Sequence, residues 1–143
     1  MSAAFDAMAL LVMPLWFAMI LLPTRRITAR LLSSPWVLVP IAAVYVALVL
    51  PELPSVLPLV MRPRLDTIAP LLGTERGATI AWAHFLAFDA FVGRWAWADA
   101  RARGMSPWLG SPILFFVLML GPLGLTLHLL LRPRARAGEA AAL

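Results

Sequence analysis

ATIAWAHFLAFDAFVGRWAW, residues 78–97, decides how the chain is read. At about 1.5 Å rise per residue, a helix of this length reaches about 30 Å, the thickness of a bilayer's hydrocarbon core. The stretch is apolar enough to enter that core, yet it contains His84, Asp89 and Arg94. Asp89 falls near its middle, where a carboxylate costs about 2.5–3.5 kcal/mol to insert. Such a cost is tolerated where a partner, water or a chemical task offsets it, so function is sought first here.

Working outward, four stretches reach or approach spanning length: 3–22, 35–50, 78–98 and 112–131. The chain is 62% hydrophobic and 13% charged, with a mean hydropathy of +0.89. Soluble domains carry about 25% charged residues, so an integral, multi-pass membrane protein is expected, with no room for a soluble catalytic domain. The expected fold is all-α: a four-helix membrane bundle over residues 1–136 as a single domain, then a disordered tail, 137–143. Each span ends on a physical stop. Pro23 with Arg25 and Arg26 ends the first, Pro51 and Glu52 the second, Arg101, Arg103 and Gly104 the third, and the arginines from Arg132 on the fourth. Residues 53–76 are too apolar for a solvated loop and too Pro-broken for a span, which suggests an interfacial or re-entrant segment. The first apolar run has no basic residues before it, contains Asp6 and extends to Leu22, so it reads as a retained span rather than a cleaved signal.

All twelve basic residues are Arg, and Ala, Leu and Pro are abundant, a usage suggesting a GC-rich bacterial genome and hence the bacterial cytoplasmic membrane. The absence of cysteine excludes a disulfide or a thiolate nucleophile. Antiparallel spans would gather Asp6, Tyr45, Glu52, His84 and His128 at one end. Trp16, Trp36, Trp95, Trp97 and Trp108, with Arg94 and Asp99, would form an interfacial belt at the other. Arginines divide five against six between the two sides, which leaves the orientation open.

On a helix advancing about 100° per residue, His84 and Phe88 share a stripe, Asp89 lies about 140° from His84, and Arg94 faces elsewhere. A carboxyl and an imidazole held out of water suit proton transfer, alternating as acid and base. The bland alternative is that Asp89 only ties helices together. Tyr45 could donate a phenolic proton or anchor at the interface, and His128 could assist or merely reach the headgroups. Arg94 is expected to snorkel past Trp95 and Trp97 or to pair with Asp99. Gly121, Pro122 and Gly124 suggest a kink and a close helix contact. The histidines and carboxylates have none of the usual metal-ligand spacings, so no metal is expected. No phosphate-binding loop, nucleophile elbow or basic stacking surface supports a nucleotide, serine-hydrolase or nucleic-acid function.

The run Trp82-Ala-His84-Phe85-Leu86-Ala-Phe88-Asp89-Ala-Phe91, followed by Arg94, Asp99, Gly104 and Gly121-Pro122-Leu-Gly124, resembles the abscisic-acid-deficient-four-like proteins. These are the small membrane family typified by plant neoxanthin synthase. Weaker matches are Pro14, Pro23, Ser34-Pro35, Tyr45 and His128, so the likeness covers almost the whole chain. The resemblance implies a carotenoid isomerisation, violaxanthin to neoxanthin in plants. It requires an acid at the epoxide oxygen and a base at a ring-side carbon proton. Transferred here, Asp89 would be the base and His84 or Tyr45 the acid, with Trp82, Phe85, Phe88, His128 and Arg94 against the substrate. No Ser-rich, Arg-rich transit peptide precedes the first span, so a chloroplast setting is not implied. The expected partners are an apolar lipid or carotenoid from the bilayer, membrane lipids and, as an open option, a second copy forming a homo-oligomer. No cofactor is expected. A non-enzymatic carotenoid or lipid binder and a small proton-coupled carrier are the alternatives.

Overall fold

Residues 78–97 are helical throughout. In the computed structural model, which describes residues 2–134, they lie within α6, Glu75–Ala102. Thr74 caps its start: the Gly77 N–H donates to the Thr74 hydroxyl at 2.9 Å, and Glu75 occupies the first turn, where the helix dipole favours an acid. At the far end Gly104 adopts φ +67°, a conformation that favours glycine. The Gly104 and Met105 amides then turn back onto the Arg101 and Ala100 carbonyls at 3.1 and 2.8 Å. This cap satisfies two carbonyls of the last turn and directs the chain into α7, Pro107–Leu131. The expected tail, 137–143, lies outside the described residues.

Every regular element among the described residues is helical: α1 (Ser2–Leu21), α2 (Arg26–Leu32), α3 (Val39–Val49), α4 (Leu53–Met61) and α5 (Leu65–Leu72) precede α6. The expected stop at Pro51 and Glu52 is corrected. Two 3₁₀ turns, Pro35–Leu38 and Leu50–Glu52, join α3 and α4 into one apolar run, Pro35–Met61, of 27 residues. Pro40, Pro51 and Pro54 each stand in the first positions of a new helical segment, where a missing N–H breaks no hydrogen bond. Among the described residues, Pro35–Met61 and Pro107–Leu131 are long and apolar enough to cross a membrane, and Phe5–Leu21 is a shorter apolar helix.

The chain forms two compact units. The first comprises the beginning of α1, up to Met13, and residues 36–88. In it Phe5 stacks on Trp82, with ring centres 5.6 Å apart. Arg76 pairs with Glu52 at 2.8 Å, which ties the start of α6 to the turn before α4 and closes the intervening segment into a loop of two short helices. Arg64 grips Asp66 through two hydrogen bonds at the start of α5 and holds that carboxyl below its ordinary range.

The second unit comprises residues 14–35 and, from Asp89 on, the rest of α6 and α7. Trp16 is buried against Gly93, where any Cβ would strike the indole. The Thr28 hydroxyl donates to the Leu22 carbonyl at 2.7 Å and seats α2 on the end of α1. Trp97 Nε1 and Arg101 both donate to the Pro23 carbonyl, at 3.0 and 3.1 Å. Of the tryptophans expected in an interfacial belt, Trp16 and Trp97 are buried within the protein. Trp36 and Trp108 remain exposed.

Candidate functional site

A reversal in α7 shapes the site. Leu120 (φ −142°, ψ 38°) and Gly121 (φ 8°, ψ −76°) leave helical geometry and divide α7 into two arms, 107–119 and 122–131. In a straight helix Val117 and Gly124 would lie about 10 Å apart along the axis. Here a Cβ on Gly124 would collide with the Val117 backbone. Farther from the break, Leu127 packs on the cluster of Ile113, Ala100 and Met105, and the Pro133 carbonyl accepts a hydrogen bond from Arg103 at 3.1 Å. The second arm thus returns beside the C-terminal end of α6, where the first arm began. The sequence reading of a single span over 112–131 is corrected to a helical hairpin. Gly124 contacts the helix's own other arm, and Gly121 faces α6.

The reversal carries His128 to Asp99. His128 is fully buried, and its Nε2 donates to Asp99 Oδ2 at 2.9 Å. The other carboxylate oxygen accepts from Arg103 Nε at 2.8 Å and faces Arg132 at 3.5 Å. Trp95 meets the His128 ring edge-on at 5.3 Å, and Arg132 lies over Trp95. The expectation that His128 and Asp99 occupy opposite ends is overturned, because it assumed a straight fourth span. Arg94 does not pair with Asp99 either. It donates through Nε to the Leu32 carbonyl at 3.0 Å and approaches the Ser33 carbonyl, capping α2.

Asp89 lies at the tip of the same hairpin. Its carboxylate occupies the space that a Cβ on Gly121 would fill. It is half-buried and, among the described residues, has no hydrogen-bond or ion-pair partner. Asp99, ten residues along the same helix, has three cationic or imidazole partners. Sequence reasoning had no means of finding that contrast, nor of finding Gly121 as the residue that shapes the space around Asp89. The Gly121-Pro122 pair signalled a break but not the degree of turning.

In the first unit, Tyr45 meets His84 edge-on with ring centres 5.4 Å apart, and His84 stacks on Phe88 at 4.7 Å. Neither the Tyr45 hydroxyl nor the His84 imidazole has a hydrogen-bond partner among the described residues. Trp82, Phe85 and Phe88, three residues apart, are exposed by 43%, 55% and 61%. Rings at this spacing form an aromatic ridge along the outside of α6. The sequence-selected Tyr45 and His84 are thus neighbours, while Asp89 and His128 each have the separate surroundings described above.

The profile of the ABA DEFICIENT 4-like family matches residues 3–128. This chain belongs to that family. The match covers nearly all of the described chain, from α1 to His128 in the second arm of α7. The chain matches no curated protein and no solved structure. The ABA DEFICIENT 4-like resemblance drawn from the Trp82–Phe91 motif is therefore borne out at the level of family.

Proposed function

We propose that this chain is a multi-pass membrane protein that takes a carotenoid or related isoprenoid lipid from the bilayer and isomerises it by proton transfer. The observation that carries this reading is the state of Asp89: a half-buried carboxylate without a partner, packed on a glycine at a helix break. An intramembrane acid that only tied helices together would be bonded, as Asp99 is. Family membership supports the carotenoid part of the reading, and the long apolar run Pro35–Met61 with the apolar arms of α7 supports the membrane part.

In this reading α1, Pro35–Met61 and α6 cross the bilayer, and α7 enters and leaves on one side. Asp89 lies about 15 Å along α6 from Asp99, half the hydrocarbon thickness, so the hairpin tip and the free carboxylate share the bilayer midplane. Irregular backbone at that depth is tolerated where protein encloses it or where it lines a cavity. With α7 reversed, this reading also favours one orientation. Arg25, Arg26, Arg30, Arg101, Arg103, Arg132 and Arg134 then flank one side, against Arg62, Arg64 and Arg76 on the other. In this reading the larger group faces the cytoplasm, as the positive-inside rule favours.

Asp89 has the properties of the base, accepting a carbon-bound proton. Tyr45 or His84, with unsatisfied polar atoms amid aromatic rings, has those of the acid that protonates an epoxide oxygen. Proton gain and loss balance, so the product is an isomer and no redox partner is required. The aromatic ridge of Trp82, Phe85 and Phe88 also favours a second reading, polyene binding without conversion, since flat conjugated chains stack well on such rings. Purified protein in lipid, given epoxycarotenoids, separates the two. Isomerised product that disappears in Asp89→Asn supports the enzyme, whereas retained pigment without product supports the binder.

A further inference from the structure

We propose that the groove between the end of α1 and the first arm of α7 is a binding site for an anionic phospholipid. The groove, about 710 Å³, lies within the second unit, and Asp89 is not among its lining residues. Its volume falls in the range of small-molecule sites, about 300–1,000 Å³. Its walls are apolar: Ile20 and Leu21 on one side, Phe115 and Phe116 on the other. At its rim stand Arg25 and the indole of Trp108, which is 92% exposed.

Charge identifies the occupant. No Asp or Glu lines the groove, and among the described residues the Arg25 guanidinium has no partner, nor has that of adjacent Arg26. Arg101, by contrast, is fixed on the Pro23 carbonyl and over Trp97. The one carboxylate in the neighbouring helix end, Asp99, is already taken by Arg103, His128 and Arg132. The rim therefore carries uncompensated positive charge above an oily slot. A phosphodiester headgroup satisfies the guanidinium's paired N–H donors, and an acyl chain fills the space between the leucine and phenylalanine walls. Trp108 sits at headgroup level, where an indole is both apolar and hydrogen-bonding. This assignment rests on the membrane reading above, since the lipid reaches the groove sideways from the bilayer.

Native mass spectrometry of the full chain released from nanodiscs of equimolar phosphatidylglycerol and phosphatidylcholine tests it. The wild type should retain phosphatidylglycerol over phosphatidylcholine by about fivefold, the factor expected of one arginine near an anionic headgroup. Arg25→Gln should lower that ratio to about one, and Arg25→Lys should keep most of it. Arg62→Gln, an exposed arginine of the first unit, should leave it unchanged. Equal retention of both lipids by the wild type would overturn the site while leaving the membrane reading intact, as would an equal effect of Arg62→Gln and Arg25→Gln. Displacement of the retained phosphatidylglycerol by an added carotenoid would also overturn it. Failure of the chain to enter nanodiscs at all would overturn both.

Discussion

His128 Nε2 lies 2.9 Å from the Asp99 carboxylate although 29 residues separate them in sequence. Only a chain that turns back at Leu120–Gly121 brings them together, so this one bond reports the hairpin. A straight α7 would carry His128 about 30 Å along the axis from Pro107. The unpartnered Asp89 and the partnered Asp99 are consequences of the same turn.

The hairpin can be tested by crosslinking. The chain has no cysteine, so Ile113→Cys with Leu127→Cys introduces the only thiols. Both residues belong to one packed cluster, and oxidation should give an intramolecular disulfide visible as a mobility shift reversed by reductant. In a straight helix they would stand about 21 Å apart, far beyond the roughly 7 Å Cα limit for a bridge. No shift under oxidation would disprove the fold-back.

His128→Ala should destabilise the protein by about 2 kcal/mol, because it leaves Asp99 one donor short in a buried setting. Thermal unfolding in detergent measures this. His128→Gln, which retains an N–H donor, should recover part of the loss. An unchanged midpoint in His128→Ala would mean that the bond contributes nothing to the fold.

Asp89→Asn should behave in the opposite way. With no partner to lose, it should unfold at or above the wild-type temperature, while turnover of an epoxycarotenoid falls about 100-fold or more, the usual contribution of a general base. Loss of stability without loss of turnover would make Asp89 a structural residue. Gly121→Ala should also lower turnover, since its Cβ displaces the Asp89 carboxylate.

Tyr45→Phe keeps the ring that meets His84 and removes only the hydroxyl. If Tyr45 is the acid, turnover falls about 10²-fold or more with pigment retention unchanged. If His84 is the acid, His84→Ala shows that fall and Tyr45→Phe does not. Equal activity in both variants would assign the acid elsewhere.

The proposed topology, three spans and a hairpin with the arginine-rich side in the cytoplasm, predicts an orientation. A reporter that fluoresces only in the cytoplasm, fused after the last residue, should be bright, and an impermeant maleimide should label Ser2→Cys but not Ser106→Cys in intact cells. The opposite labelling pattern would reject the arrangement of three spans with a hairpin.

Much of this was legible in the sequence. Helix content followed from apolar runs of spanning length, and the end of α6 from Gly104, because local backbone preferences and capping act over a few residues. The Trp82–Phe91 motif was enough to indicate the family, and it singled out His84 and Asp89. Pro51 misled because a proline that starts a new helical turn looks, in sequence, like one that ends a helix.

Which residues became partners was a different matter. Gly121-Pro122 showed that α7 could bend, but local sequence does not distinguish a kink from a reversal. That depends on Gly124 lying against Val117 and on the far arm finding Asp99, contacts between residues far apart in the chain. The sequence by itself determined the long apolar runs and their helical character, since transfer free energy and backbone propensity are nearly additive along a chain. Tertiary structure decided that Asp99 is satisfied and Asp89 is not, because hydrogen bonds and ion pairs form only between groups that the whole fold brings within about 3 Å.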